Sequence, residues 1–180
     1  MLVAYSVPSS VTAMAALPMA LFVPAFYADD LGVPLAAVGV AIACSRLLDV
    51  VTDPLIGGLS DRMHLPLGRR KPWMLLGAPL FLIALWKIFV PSEDVSAVYL
   101  ALWSAVLYLG FTLIDLPHKA WGAELSTDYD DRSRVTGWRE GIATAGQVTL
   151  LAAVVWLAAR GIEDAAGQLK AIAVAIVIAL

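Results

Sequence analysis

Three stretches of this chain, residues 3–26, 95–114 and 141–159, contain no Asp, Glu, Lys or Arg. Each is close to the ~20 residues that a helix needs to cross a ~30 Å hydrocarbon core. A water-soluble fold would have to bury all three within 180 residues. Composition argues against that: 61% of the residues are hydrophobic and 15% charged, where soluble domains run at roughly 45–50% and 25%. In hydrocarbon every backbone N–H and C=O has to be paired, which leaves helices or a closed barrel. The period-two alternation of barrel strands is absent, so the chain reads as an all-α membrane protein.

Six hydrophobic segments can be drawn, at about 3–27, 34–59, 72–90, 96–117, 138–159 and 169–180. The last is still apolar at Leu180 and too short to span, so a truncated sixth helix is expected. The connections differ in charge. Arg62, Arg69, Arg70 and Lys71 lie between segments two and three, and Lys119, Arg132 and Arg134 between four and five. Asp29 and Asp30, and Glu93 and Asp94, occupy the opposite side, while Arg160, Glu163 and Asp164 in the last loop give no clear sign. Lys and Arg concentrate in cytoplasmic loops. That predicts a multi-pass protein of the cell (inner) membrane, with its amino terminus and the loops 61–71 and 118–136 in the cytoplasm.

Several function classes fall away. The net charge is −3 and no basic-aromatic patch suggests nucleic acid. Cys44 is the only cysteine, so no intrachain disulfide forms and no cysteine-rich metal site is available. His64 and His118 lack helical ligand spacing and read as loop or interface residues. Pro8, Pro18 and Pro24 can kink the first segment, and Gly137 with Gly141 permits close helix approach.

The informative residues are the charges inside segments. Arg46, Asp49 and Asp53 recur at i, i+3 and i+7 and share one helical stripe, with Thr52 beside it. Segment four ends with Thr112 and Asp115 one turn apart. A charge at mid-membrane costs at least ~2.5–3.5 kcal/mol on insertion scales. An Arg46–Asp49 salt bridge would absorb one carboxylate, leaving Asp53 and Asp115 to be met by a proton, a metal ion or another cation. Asp49, Thr52, Asp53, Thr112 and Asp115 together offer hard oxygen ligands, suited to Na⁺ or a proton rather than to soft metals. Lys87 sits near a segment end where it can snorkel. Arg139 reads either as an interface marker or as an inward-reaching donor for solute hydroxyls or a carboxylate.

The run from Arg46 through Asp49, Asp53-Pro54, Gly57 and Asp61-Arg62, followed by Gly68-Arg69-Arg70-Lys71-Pro72-Trp73, resembles the glycoside-pentoside-hexuronide:cation symporters, the melibiose-carrier-like branch of the major facilitator superfamily. Phe26 to Asp29, Asp115-Leu116-Pro117 and Asp131 to Arg139 extend the resemblance over essentially the whole chain. It implies the six-helix amino-terminal half of a twelve-helix transporter. It also implies that Asp49 and Asp53 hold the coupling cation with Thr112 nearby, that Asp115 and Arg139 hold the solute, and that Asp61 and Arg62 form a cytoplasmic latch. The chain departs from the pattern at three places. Ala13, preceded by Thr12, stands where the family has an acid. Lys119 stands where it has a Trp, with Trp121 following, and Thr52 stands where an amide occurs. Thr12 and Trp121 therefore join the candidate solute residues, and Arg46 the candidate gating residues.

The expected function is cation-coupled symport of a sugar or related small polar solute by alternating access, using Na⁺ or H⁺ and no other cofactor. Its expected partners are that solute, the cation, the bilayer and a carboxy-terminal six-helix half. The alternatives are a membrane-embedded enzyme using the intramembrane aspartates, for which no nucleophile–base pair is visible, and an acid-lined channel.

Overall fold

The computed structural model describes residues 2–63, 68–92, 95–125, 128–161 and 164–179. Six helices make up the fold: α1 (Leu2–Ala25), continued by a π-helical turn over Phe26–Asp30; α2 (Leu35–Arg62); α3 (Lys71–Phe89); α4 (Ala97–Glu124); α5 (Tyr129–Ala159); and α6 (Ala165–Ala179). There is no β-sheet among the described residues. The first five helices are long and apolar enough to cross a membrane, and the chain is a multi-pass membrane protein. His64, Glu93, Asp94 and Glu163 lie outside the described residues.

The helices outrun the apolar segments that announce them. α4 continues past Pro117 to Glu124, and α5 begins at Tyr129 rather than near 138. The expected 118–136 loop is therefore mostly helix. Asp128 explains the early start of α5: its carboxylate accepts from the Asp130 and Asp131 amides at 2.9 and 3.2 Å. That satisfies two of the four free N–H groups of a new helix. The charged turns that follow are helical but wet, so hydropathy does not register them. Ser96 caps α4 in the same way, accepting from the Tyr99 amide. Gly32, at φ 69°, turns the chain from the π-helical end of α1 towards α2, in a backbone region that glycine enters freely.

α4 is flanked by α3 and α2, while α1 packs chiefly on α5 and α6 rests on α3 and α1. The α3–α4 crossing is close. A methyl on Gly110 would lie 2.6 Å from the Phe81 amide nitrogen, and one on Gly77 would lie 2.8 Å from Leu113 Cβ. Gly146 on α5 similarly meets Ser10 of α1. Gly137 and Gly141, expected to mediate close approach, have nothing within 4 Å of their missing Cβ atoms. Tyr27, Phe81, Leu85, Ile88, Leu100 and Leu169 are fully buried in the core. Leu47, Val50, Val51 and Leu55 of α2 and Val155 and Trp156 of α5 face outward, as suits helices whose solvent is hydrocarbon. Lys87 is exposed with its Nζ 6.0 Å from the Trp103 ring centroid, in keeping with its reading as a snorkelling residue.

Candidate functional site

Asp53 and Thr112 meet across the α2–α4 seam: the Thr112 hydroxyl donates to Asp53 Oδ1 at 2.9 Å. Both lie well inside their helices, at comparable rises from the α2 and α4 starts given ~1.5 Å per residue. Asp49, one turn before Asp53, is in electrostatic reach of both Asp53 and Arg46. Two carboxylates about 6 Å apart repel by roughly 3 kcal/mol at an effective dielectric near 20. That exceeds what an exposed i,i+4 contact returns, so the acid pair is costly without a cation. The Thr52 hydroxyl oxygen beside them is buried and has no hydrogen-bond partner. A buried polar atom left unmatched costs about 1–3 kcal/mol, and a cation ligated there would remove that cost.

Arg46 does not cancel the acids directly. Among the described residues no ion pair joins it to Asp49. Its Nε donates to the Tyr108 hydroxyl at 3.1 Å and its guanidinium lies 5.6 Å from the Tyr108 ring centroid. Arg46, Asp49 and Tyr108 line a cavity of about 270 Å³ with Thr12 of α1 and Phe111 of α4. A smaller cavity of about 170 Å³ lies against Asp49, Thr52, Leu48 and Leu109. Asp49 is a wall of both.

Asp115 behaves differently from the expectation. Its carboxylate lies 2.6 Å from Lys119 Nζ one turn further along α4. It is therefore already matched by a side-chain cation. Lys119, expected in the cytoplasmic loop, instead lies on α4, which runs on to Glu124 and so brings the lysine within reach of Asp115. The structure thus joins Asp53 to Thr112, with Asp49 and Thr52 on the adjacent turn against one cavity, and pairs Asp115, one turn beyond Thr112, with Lys119.

The remaining candidates are spread along the helices. Thr12 lines the larger cavity, but its hydroxyl donates back to the Pro8 and Ser9 carbonyls at 3.2 Å. Arg139 reaches 2.6 Å from Glu140 and also interacts with the Tyr5 hydroxyl. Trp121 is edge-on to Tyr5, with ring centroids 5.6 Å apart, and lines a separate cavity with Arg69, Arg70, Lys71 and Glu124. It is not in the Thr12–Arg46–Asp49 cavity. Asp61 is bound by Arg70 at 2.6 Å, and the same guanidinium reaches Glu124 at 2.8 Å and the Ser60 hydroxyl at 3.1 Å. Arg62 closes α2 beside this clamp. Burial acts to lower the Arg70 pKa, but the hydrogen bonds to Glu124 and Asp61 outweigh it and hold the guanidinium above its ordinary range.

Two other contacts were missed. Tyr5 and His118 exchange bonds: the Tyr5 hydroxyl donates to the His118 carbonyl at 3.0 Å, and His118 Nε2 lies 2.7 Å from the Tyr5 carbonyl. A carbonyl only accepts, so Nε2 carries the proton; in the neutral ring Nδ1 is then the acceptor for Ser9 Oγ, 3.3 Å away. The other is Tyr108, legible in hindsight from its spacing of one and two turns before Thr112 and Asp115.

Residues 4–180 match the family model described as MFS/sugar transport protein. The chain is 32% identical over 129 residues to the inner membrane symporter YicJ of Escherichia coli (strain K12), covering 70% of this chain and 28% of that protein. It is 32% identical over 148 residues to an uncharacterised symporter of Synechocystis sp., covering 77% and 27%. It is 30% identical over 133 residues to the sodium-dependent lysophosphatidylcholine symporter 1 of Xenopus tropicalis, covering 71% and 25%. The matched region spans about a quarter of the length of these relatives. The relatives it matches are named as symporters, and the family model carries the description of a sugar-transport protein. The chain belongs to the glycoside-pentoside-hexuronide:cation symporter family of the major facilitator superfamily, and corresponds to that family's amino-terminal half.

Proposed function

We propose that the chain forms the cation-binding half of a symporter that moves a sugar or related small polar solute by alternating access. The observation that carries this is the Thr112–Asp53 hydrogen bond with Asp49 one turn away. It gathers two acids and two hydroxyls at a depth where an unmatched charge is expensive. Na⁺ or H⁺ fits such a set of hard oxygens, and the orphaned Thr52 hydroxyl adds a ligand. The solute half of the reading is supported by the neighbouring cavity of about 270 Å³ and by the sugar-transport description of the family model. Because Asp49 lines both cavities, it is the residue through which cation and solute sense each other. Linkage requires that each ligand raise the other's affinity by the same factor. The N-terminus and the basic connections lie in the cytoplasm by the Lys/Arg bias, in an inner membrane such as the one that the relative YicJ is named for. A second six-helix half completes the solute path.

The test is Asp53→Asn in the full-length transporter, reconstituted in vesicles. Uptake of radiolabelled glycosides and hexuronates is followed with and without inward Na⁺ and H⁺ gradients. The expected result is loss of gradient-driven accumulation with normal expression. Full concentrative uptake by the variant removes Asp53 from the cation site.

A further inference from the structure

Resting on the reading just given, with Arg139 as a contact for the solute, we infer that Tyr5 and His118 are positioning residues. Together they hold the Arg139 guanidinium inward before the solute arrives.

Two anchors compete for Arg139. Glu140 takes its Nη2 at 2.6 Å, but adjacent residues on a helix do not face each other, and the Glu140 side chain is 62% exposed. On its own that bond draws the guanidinium towards water. Yet the Arg139 side chain is only 14% exposed. The second anchor is the hydroxyl of Tyr5, a buried residue of α1. A phenol has one proton to give and lone pairs with which to accept. The Tyr5 proton goes to the His118 carbonyl at 3.0 Å, so its oxygen is left as an acceptor for Arg139. A guanidinium carries several N–H donors in a fixed fork, and two anchors leave donors over for a hydroxyl or carboxylate of the solute. Asp115, the other candidate solute residue here, is within electrostatic reach of both Tyr5 and His118.

Tyr5 is a firm anchor because it is held at both ends. His118 Nε2 lies 2.7 Å from its backbone carbonyl, while its hydroxyl is tied to the His118 carbonyl, and the two ring centroids are 4.4 Å apart. Ser9, one turn along α1, meets Nδ1 of the same imidazole. Gly122, one turn beyond His118, makes room for the phenol: a Cβ there would come within 2.9 Å of Tyr5 Cζ. It would also lie 3.5 Å from Cγ1 of Val135, one turn before Arg139 on α5. Three helices therefore converge on one tyrosine, although α1 packs chiefly on α5, and α4 on α3 and α2. A rotamer-rich side chain that is ordered in advance costs less to immobilise when the solute binds.

Two measurements on the purified full-length transporter test this. The first needs no solute: modification of Arg139 by phenylglyoxal, read by peptide mass spectrometry, with Arg134 of the same helix as internal control. Wild type is expected to react slowly at Arg139. Tyr5→Phe loses only the hydroxyl, and His118→Phe loses the donor to the Tyr5 carbonyl. Both are expected to react several-fold faster at Arg139 and equally at Arg134. His118→Gln keeps a donor at that place and is expected to restore the wild-type rate. The second measurement is uptake of radiolabelled glycosides and hexuronates after reconstitution. Tyr5→Phe is expected to raise KM by about tenfold or more, as for loss of a hydrogen bond to a charged group. In an Arg139→Lys background, where the planar fork is already gone, the same change is expected to add nothing. Unchanged Arg139 reactivity in Tyr5→Phe, or an equal KM effect in both backgrounds, overturns the inference. Should His118→Phe fail to fold, Tyr5→Phe decides alone. A wild type that accumulates none of these probes under a Na⁺ or H⁺ gradient overturns the symport reading instead, and the phenylglyoxal rates still decide whether Tyr5 holds Arg139.

Discussion

Arg46 illustrates how one residue's choice of partner sets the character of a site. Its stripe position relative to Asp49 suggests an internal salt bridge, yet the guanidinium turns to Tyr108. The hydroxyl therefore protects the acids from being cancelled by their own helix. Removing it in Tyr108→Phe withdraws about 0.5–1.5 kcal/mol of net hydrogen bonding and frees Arg46 to compete for Asp49. Cation affinity is expected to fall by up to about tenfold, since 1.4 kcal/mol corresponds to a factor of ten. Na⁺ titration followed by tryptophan fluorescence measures it, and unchanged or tighter binding would show that Tyr108 does not restrain Arg46. At this scale the sequence was legible for the acids and threonines, because helical spacing alone puts Asp49, Thr52 and Asp53 together. It was not legible for Tyr108, His118 or Lys119, whose partners are decided by rotamers and by the true end of α4. The Asp115–Lys119 pair is hidden for that same reason.

Among the helices, the α3–α4 crossing is held by two glycines in different segments, and the one spaced glycine pair in the sequence holds nothing. The contrast gives a paired prediction. Gly110→Ala drives a methyl into the Phe81 backbone, and overpacking of a rigid contact costs about 1–3 kcal/mol. Gly137→Ala meets open space and gains helix propensity. Thermal unfolding in detergent should show a lowered midpoint for the first variant and an unchanged or raised one for the second. Equal behaviour would mean that the crossing can spread without cost. Helix existence was readable from apolar runs of bilayer length. Helix ends were not, because Asp128 and the turns after it are polar, and polar helix looks like loop in a hydropathy reading. Which glycines touch depends on the crossing geometry, and spacing within one helix does not contain it.

For the molecule as a whole, the charge bias of the connections predicts orientation. In a Cys44→Ser background, Asp30→Cys should react with an impermeant maleimide applied to intact cells, while Arg69→Cys should react only after permeabilisation. The reverse pattern would invert the protein. The fold class follows from composition and charge-free length alone, since hydrocarbon admits so few structures. The arrangement of the helices is less accessible: nothing in the linear order says that α1 packs on α5 and hardly touches its neighbour α2.

That pairing bears on how the protein is made. Gln147 of α5 donates to the Ala13 carbonyl of α1 across 134 residues of sequence. At synthesis rates of about 5–20 residues per second, α1 waits roughly 7–27 s in the bilayer before its partner is complete. Throughout that interval its serines, its threonine and its three prolines lack the α5 surface, although α4, which Ser9 reaches through His118, is made earlier. The hydroxyls of Ser6, Ser10 and Thr12 already bond to carbonyls of α1 itself, so this helix carries part of its own shelter until α5 arrives.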